Sequence, residues 1–317
     1  MTNGVAQKPS VLVMMATYNG EKYVAEQIDS ILAQEGVNVT LLISDDGSSD
    51  GTPQICARYA QNTPNVHFFV NKCNKGLARN FMDMLYDSDV RSFDYFAFSD
   101  QDDYWMPNKL SKAIEAIAAA GEGPRLYYSD VCNVDEQLNG GSREYNVFNS
   151  YADSLGLLLT INWASGCTMV FNSVFASVLQ QYVPRDWPRI HDGWVHLVAR
   201  ALNAQVPDLE HAYIKRRISG QNQVGERGLN RLSVQRIKII AKSMLGPSEH
   251  DLTHAAALLL DGYADSMNDE DRELVHRFVD GRHSFINRLG MMFDPAFAQP
   301  IPLENLMFKG KMLLNVY

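Results

Sequence analysis

Cysteine is scarce in this chain of 317 residues. Cys56, Cys73, Cys132 and Cys167 show neither disulfide-scaffold nor metal-clip spacing, which points to a reducing compartment. Long apolar runs are lacking too, and none approaches the roughly 18 residues needed to cross a bilayer. The segment from Met1 to Pro9 is polar and lacks the apolar centre of a secretion signal. These features lead to the expectation of a cytoplasmic protein, in which the Asn38-Val39-Thr40 sequon is a chance match. Positive charge is in deficit: 28 Lys and Arg face 37 Asp and Glu, a net charge of −9. That balance argues against a general nucleic-acid binder, which needs cations to neutralise phosphates. The chain has no G-x-G-x-x-G, no Walker A and no H-E-x-x-H, so dinucleotide, P-loop and zincin readings fail.

What is present is an ordinary globular mixture, 46% hydrophobic and 21% charged, long enough for one large or two modest domains. Strand and helix signals alternate through the first half. Ser10–Thr17 is a nearly continuous apolar run, as a strand covered on both faces requires. Val24, Ile28, Ile31 and Leu32 fall on one helical stripe. Further strands are expected at Val39–Ser44, Val66–Val70, Asp94–Ser99 and Leu126–Ser129, with helices at Thr52–Gln61, Leu77–Tyr86 and Pro107–Ala120 between them. Such alternation implies a parallel, doubly wound sheet. Beyond Asn133 the rhythm loosens: a loop-rich stretch leads to Gly166–Phe171, then to helices near Ser173–Gln181 and Trp194–Leu202. After Gly228 the pattern is helical only, at Arg231–Met244, Asp251–Met267 and Asp269–Leu289.

Ligands of open parallel sheets bind beyond the carboxyl ends of the strands. Three polar clusters stand at such ends: Ala16-Thr17-Tyr18-Asn19-Gly20, Asp45 to Gly51, and Asp100-Gln101-Asp102-Asp103. Carboxylates as close as Asp100, Asp102 and Asp103 repel unless something neutralises them. Hard oxygen donors at alternate positions suit Mg²⁺ or Mn²⁺, with phosphates completing the shell; the plainer reading is an acidic turn capping the next helix. Asp45 and Asp46 could accept hydrogen bonds from a nucleobase or ribose, or serve as turn residues. Tyr18 offers a face to a base, or a wedge to the core. Gly47-Ser48-Ser49-Asp50-Gly51 matches the G-x-S-x-G elbow of serine hydrolases around Ser49, but three acids flank it and no Gly-rich oxyanion segment precedes it.

The series ATYNG (16–20), SDDGSSDGT (44–52), NKGLARN (74–80) and SDQDDYWMPNKL (99–110) resembles the GT-A domain of glycosyltransferase family 2 over about the first 225 residues. GCTMVFN (166–172), HDGW (191–194) and RRISGQNQVG (216–225) resemble the bacterial rhamnosyltransferase-like branch. The resemblance implies that Tyr18 and Asp45, with Thr17, Asn19 and Asp46 beside them, bind the nucleotide, and that Arg79 and Asn80 sit near the donor. It implies a ribose or metal role for Asp100, metal binding for Asp102, an acceptor side at Gly166, Cys167, Thr168 and Trp194, and a catalytic base in Asp192. On local sequence alone Asp192 could equally be the N-cap of the helix that follows. Where relatives carry a late histidine this chain has Ser219, which puts a supporting metal contact in doubt; Arg216, Arg217 or Gln223 could compensate.

The resulting expectation is a GT-A, Rossmann-like α/β domain with a mostly parallel sheet over residues 1–228. Its nucleotide-sugar half would span about 10–130 and its acceptor half about 131–228, followed by a helical appendage over 229–317. The implied activity is inverting transfer of rhamnose or another hexose from a nucleotide-diphosphate donor to a glycan or lipid-linked acceptor, with Mn²⁺ or Mg²⁺. A non-catalytic nucleotide-sugar or glycan-binding module is the alternative. Between Lys215 and Leu245 eight Lys and Arg face the single acid Glu226. That stretch, with the Met307–Leu314 end, suggests peripheral contact with the inner membrane face.

Overall fold

A computed structural model describes residues 7–143, 154–187, 189–218 and 252–317. Ser219, Gln223 and the basic 231–245 segment lie outside the described residues. The described chain falls into two compact units. One comprises 7–143, 163–187, 189–199 and 203–218; the other comprises 154–162, 200–202 and 252–317.

The first unit is built on a sheet ordered β3-β2-β1-β4-β8-β6-β9-β5, with β7 paired to β6. β1 (Ser10–Thr17), β2 (Asn38–Asp45), β3 (Val66–Val70) and β4 (Tyr95–Ser99) run parallel. Every β1 residue after Ser10 is buried, which is why the sequence there is an unbroken apolar run instead of an alternating one. The crossover helices are α1 (Val24–Leu32), α2 (Thr52–Asn62) and α3 (Leu77–Tyr86). α1 buries Val24, Ile28 and Ile31 along one stripe and α3 buries Phe81, Met84 and Leu85, whereas α2 buries only Thr52 and Cys56.

Past β4 the sheet changes hand. β8 (Val170–Asn172) lies antiparallel to β4, where continued alternation would make every strand parallel. The strand expected at Leu126–Ser129, β6 (Leu126–Val134), is antiparallel to β8 and runs on past Ser129. β9 (Gln205–Arg217) then pairs parallel with β6, and the two-residue β5 (Tyr104–Trp105) pairs antiparallel with the far end of β9. The β7 pair (Ser142–Arg143) closes on β6. Helix α4 (Lys109–Ala119) follows β5; α6 (Ser173–Gln180) is capped by the Asn172 side chain, which accepts from Phe175 N at 3.0 Å. α7 (His191–Ala201) begins three residues before the expected Trp194 start.

The second unit is helical. It contains α5 (Leu155–Leu158), α8 (Leu252–Tyr263), α9 (Asp269–Asp280), α10 (Phe285–Phe293) and α11 (Pro302–Leu314). The expected single helix over 269–289 is broken at Gly281–Ser284, where Ser284 accepts from Asn287 N at 3.3 Å and starts a new helix. Three acids in the first turn of α9 complement its N-terminal dipole. Among the described residues no helix is long and apolar enough to cross a membrane.

Candidate active site at the carboxyl edge of the sheet

The three polar clusters meet where β1, β2 and β4 end. Tyr18 N donates to Gln101 Oε1 at 2.9 Å, and Gln101 Nε2 returns a bond to Tyr18 O at 3.0 Å. Gly20 leaves room for this exchange, since a Cβ there would lie 2.2 Å from Gln101 Oε1. Asn19 adopts φ 51°, a left-handed conformation that asparagine tolerates. Its backbone N–H reaches Ser48 Oγ at 2.8 Å, and its side-chain oxygen accepts from Ser49 N at 2.8 Å. Ser49 Oγ also faces that Asn19 oxygen, at 3.3 Å, so the structure gives this serine loop-tying bonds. No histidine bonds Ser49 among the described residues, so the hydrolase elbow gains no support here. Tyr18 itself is 52% exposed, a free aromatic face and not a core wedge.

Asp45 and Asp46 are buried and committed to loop geometry. Asp45 Oδ1 accepts from Gly47 N at 3.1 Å and Ser48 N at 2.9 Å, while Thr17 Oγ1 reaches Oδ2 at 2.9 Å. Asp46 accepts from Lys75 N and Gly76 N, both at 2.8 Å, and from Asn71 Nδ2 at 3.0 Å. Asn80 is buried as well and donates to Ser44 O at 3.0 Å, fixing α3 to β2. Arg79 is half-exposed and pairs with Asp83 at 3.1 Å, one helical turn away.

The acidic loop between β4 and β5 is different. One ligand atom from each of Asp100, Asp103 and Cys167 lies within 4.8 Å of the other two. Asp103 is buried with its Oδ2 meeting no donor among the described residues, although the Cys167 thiol bonds the carboxyl group. Burial pushes Asp103 up to about 7, helped by the Asp102 charge. Burial, then the Asp103, Asp102 and Asp192 charges, raise Asp100 well above the usual carboxylate range. Asp102 is raised by burial against the pull of Arg217 and Arg216. Crowded carboxylates that resist ionisation in this way fit a hard divalent cation, Mg²⁺ or Mn²⁺, better than any neutral partner. Cys167 is a soft donor poorly matched to so hard a cation; burial, then the Asp103 and Asp100 charges, pushes its thiol well up. The sequence pairs Asp100 with Asp102, whereas the fold draws Asp100 and Asp103 together across the bend.

Arg217, at the end of β9, braces this loop. Its side chain is buried and donates to Asp102 O at 2.8 Å, Asp103 O at 3.3 Å and Glu136 O at 3.1 Å, besides pairing with Glu26. The guanidinium also lies 4.6 Å from the Tyr23 ring centroid. Glu26 and Tyr23 carry no motif signal, and Arg217 is legible only within the RRISGQNQVG segment, as one of the residues that could compensate for Ser219.

Asp192 sits in the first turn of α7 and is half-buried. Gly166 N donates to its Oδ2 at 3.1 Å and Gly193 N to its Oδ1 at 2.6 Å. Burial pushes the carboxyl group up to about 6, against those two bonds. Gly166 is required by the close approach, because a Cβ there would stand 2.5 Å from His191 Nε2. His191 is buried against Phe81, its ring centroid 4.1 Å away, and burial lowers it to about 3, leaving a neutral wedge beside Asp192. Thr168 is buried, donating to Ser165 O at 2.8 Å, and Trp194 is buried 6.4 Å from the Tyr182 ring. Both brace the loop and helix from within.

The sequence profile of glycosyl transferase family 2 matches residues 12–179. The dTDP-rhamnosyl transferase RfbG of Shigella flexneri is 40% identical over 105 residues, 32% of this chain and 36% of that protein. The putative teichuronic acid biosynthesis glycosyltransferase TuaG of Bacillus subtilis is 33% identical over 108 residues, 34% of this chain and 42% of that one. The chain thus matches well under half the length of these relatives. In fold it is similar to S. aureus TarS crystallised with UDP, at a TM-score of 0.55 and 16% identity, covering 97% of this chain and 89% of that one.

Proposed function

The chain belongs to glycosyl transferase family 2, and from that premise we propose that it is an inverting glycosyltransferase. It moves a sugar from a nucleotide-diphosphate donor to a hydroxyl of a glycan or lipid-linked acceptor in polysaccharide biosynthesis. The observation that carries this reading is a crowded acidic loop beside a carboxyl group held by two backbone N–H donors, near enough for the Asp192 charge to raise Asp100. Rhamnose is the first sugar to test, because the Shigella relative is named for it.

The reaction is a single in-line displacement. The acceptor oxygen attacks the anomeric carbon, the bond to the diphosphate oxygen breaks, and the nucleoside diphosphate leaves with the electron pair. Asp192 takes the hydroxyl proton; raised to about 6, it is ionised at neutral pH yet basic enough to receive it. Gly166 N and Gly193 N aim its two oxygens. Asp100, Asp102 and Asp103 would hold the divalent cation, whose positive charge offsets that developing on the leaving diphosphate. Arg217 fixes the backbone carrying Asp102 and Asp103, so these carboxylates need little rearrangement on binding. Tyr18 presents its exposed ring to the base, with Thr17, Asn19, Asp45 and Asp46 shaping the turn beneath it. Arg79 and Asn80 support the donor side from α3, and Gly166, Cys167, Thr168 and Trp194 the acceptor side. This chemistry suits a cytoplasmic enzyme working where lipid-linked acceptors are presented. Purified protein screened against a panel of nucleotide sugars, with and without Mn²⁺ or Mg²⁺, tests the reading. No turnover of any donor by the wild type, or equal turnover by Asp192→Asn, would sink it.

A further inference from the structure

Helices α10 and α11 of the second unit are apolar on two opposite faces. Their inner faces bury Met291, Phe308 and Met312. Residues two, five or nine positions from these, at about 100° per residue, lie toward the other side of each helix. There Ile286 and Phe293 are 79% and 78% exposed, and Leu306 is 69% exposed between the exposed Leu303 and Leu313. The two helices are neighbours, since Lys309 Nζ on α11 stands 5.8 Å from the Phe293 ring centroid on α10. A helix needs only one apolar stripe to join a core, so a second stripe on each of two adjoining helices points outward to another apolar phase.

Charge identifies that phase. Over residues 281–317 the basic residues Arg282, Arg288, Lys309 and Lys311 face only Asp294 and Glu304, four against two, in a chain whose net charge is −9. Asp294 is itself paired with Arg277 at 3.0 Å. Arg288, half-buried and donating to Gly281 O at 2.7 Å, and the half-buried Lys309 stand beside the exposed aromatics, with the guanidinium 5.6 Å from the Phe285 ring. Aromatic and aliphatic side chains with a cationic rim match the boundary between acyl chains and anionic headgroups. We propose that the outer face of α10 and α11 is a docking surface for an anionic lipid bilayer, with Phe293 and Leu306 entering the headgroup boundary and Arg288 and Lys309 meeting lipid phosphates. This extends the glycosyltransferase reading but is independent of it.

The full chain is sedimented with vesicles of phosphatidylcholine alone or mixed with phosphatidylglycerol, at low and high salt. Binding is expected to the anionic vesicles, weakening with salt. Phe293→Ser with Leu306→Ser should lower the partition coefficient on the order of a hundredfold, from lost apolar burial. Lys309→Glu should lower it roughly tenfold at low salt only. Phe293 and Leu306 are exposed and Lys309 is half-buried, so unchanged melting and unchanged soluble-donor turnover mark the variants as folded; loss of turnover would speak to the enzyme reading instead. Three results would overturn the proposal: no binding to anionic vesicles at low salt, binding that survives the double substitution, or a vesicle-free dimer that the double substitution dissolves.

Discussion

The turn after β2 and the turn after β4 carry the same kind of side chain at the same edge of one sheet, and their surroundings are opposite. Asp45 and Asp46 receive backbone N–H bonds from Gly47, Ser48, Lys75 and Gly76. Asp100 receives no side-chain hydrogen bond among the described residues, and the Asp103 Oδ2 is equally bare. The first pair is neutralised by the fold and so holds the loops in shape. The second group is crowded and desolvated, leaving its charge to be met by something that arrives. A carboxylate at a strand end is therefore architecture or chemistry according to whether the chain itself supplies its donors.

The largest expected effect lies at Asp192, whose backbone bonds aim it and whose charge is near enough to the acidic loop to raise Asp100. Asp192→Asn keeps a side-chain oxygen for one N–H but cannot take a proton, so kcat should fall roughly 10²–10⁴-fold. Melting should stay within a few degrees, because a cap survives where a base does not. Wild-type activity should also fade as pH drops through about 6, where this carboxyl group takes up its proton. A near-normal kcat for Asp192→Asn would reduce the residue to a helix-start anchor. Asp102→Asn should remove most turnover at limiting metal, and full wild-type activity in excess EDTA would remove the cation from the account.

Stability should then split the two turns. Asp46→Asn sets an amide N–H₂ against backbone donors and should cost about 1–3 kcal/mol in urea unfolding. Asp103→Asn should instead stabilise the metal-free protein by on the order of 1 kcal/mol at neutral pH, since it deletes a charge that burial opposes. The sign follows from the shift. Asp103 is raised from 3.8 to about 7 when folded, so its contribution to stability is present at low pH and lost as pH rises through that window. The stability gap between wild type and variant should open accordingly between about pH 4 and 7. Only that difference isolates the effect, because His191 and His196, lowered by burial to about 3, favour folding more as pH rises toward 6.5. Saturating Mg²⁺ should close the gap; a gap insensitive to both pH and Mg²⁺ would erase the contrast.

Much of this contrast could be located from sequence but not decided there. Apolar runs bounded by Gly, Asp and Ser gave β1 to β4 and the convergence of their turns, because fully buried strands have little freedom in composition. β9 escaped notice, since QVPDLEHAYIKRR mixes a proline, acids and a histidine over a strand that is only partly covered. α11 escaped for the reverse reason: it is apolar on both faces and shows no single stripe. Nor can spacing say which carboxylate is satisfied, because the donors to Asp46 come from a loop about thirty residues away. HDGW could not say which way Trp194 points; in the fold its ring is buried.

Arg79 gives the smallest and most discriminating test. The family resemblance puts it near the donor, where a guanidinium would contact the diphosphate and its loss would raise the donor KM. In the fold it is half-exposed on α3 and bonded to Asp83 at 3.1 Å, with Lys75 Nζ also on Asp83 at 2.9 Å. Exposed pairs one helical turn apart contribute about 0.3–0.5 kcal/mol, and Lys75 would retain the Asp83 contact. Arg79→Ala should therefore change urea stability by no more than about 0.5 kcal/mol and leave kcat unaltered. The donor KM decides the rest. A several-fold rise would mean that Arg79 leaves Asp83 for the diphosphate when donor binds, supplying cationic charge to the same edge the acidic loop occupies. An unchanged KM would leave the arginine as helix surface, and the charge on the diphosphate to the cation and the arginines at the end of β9.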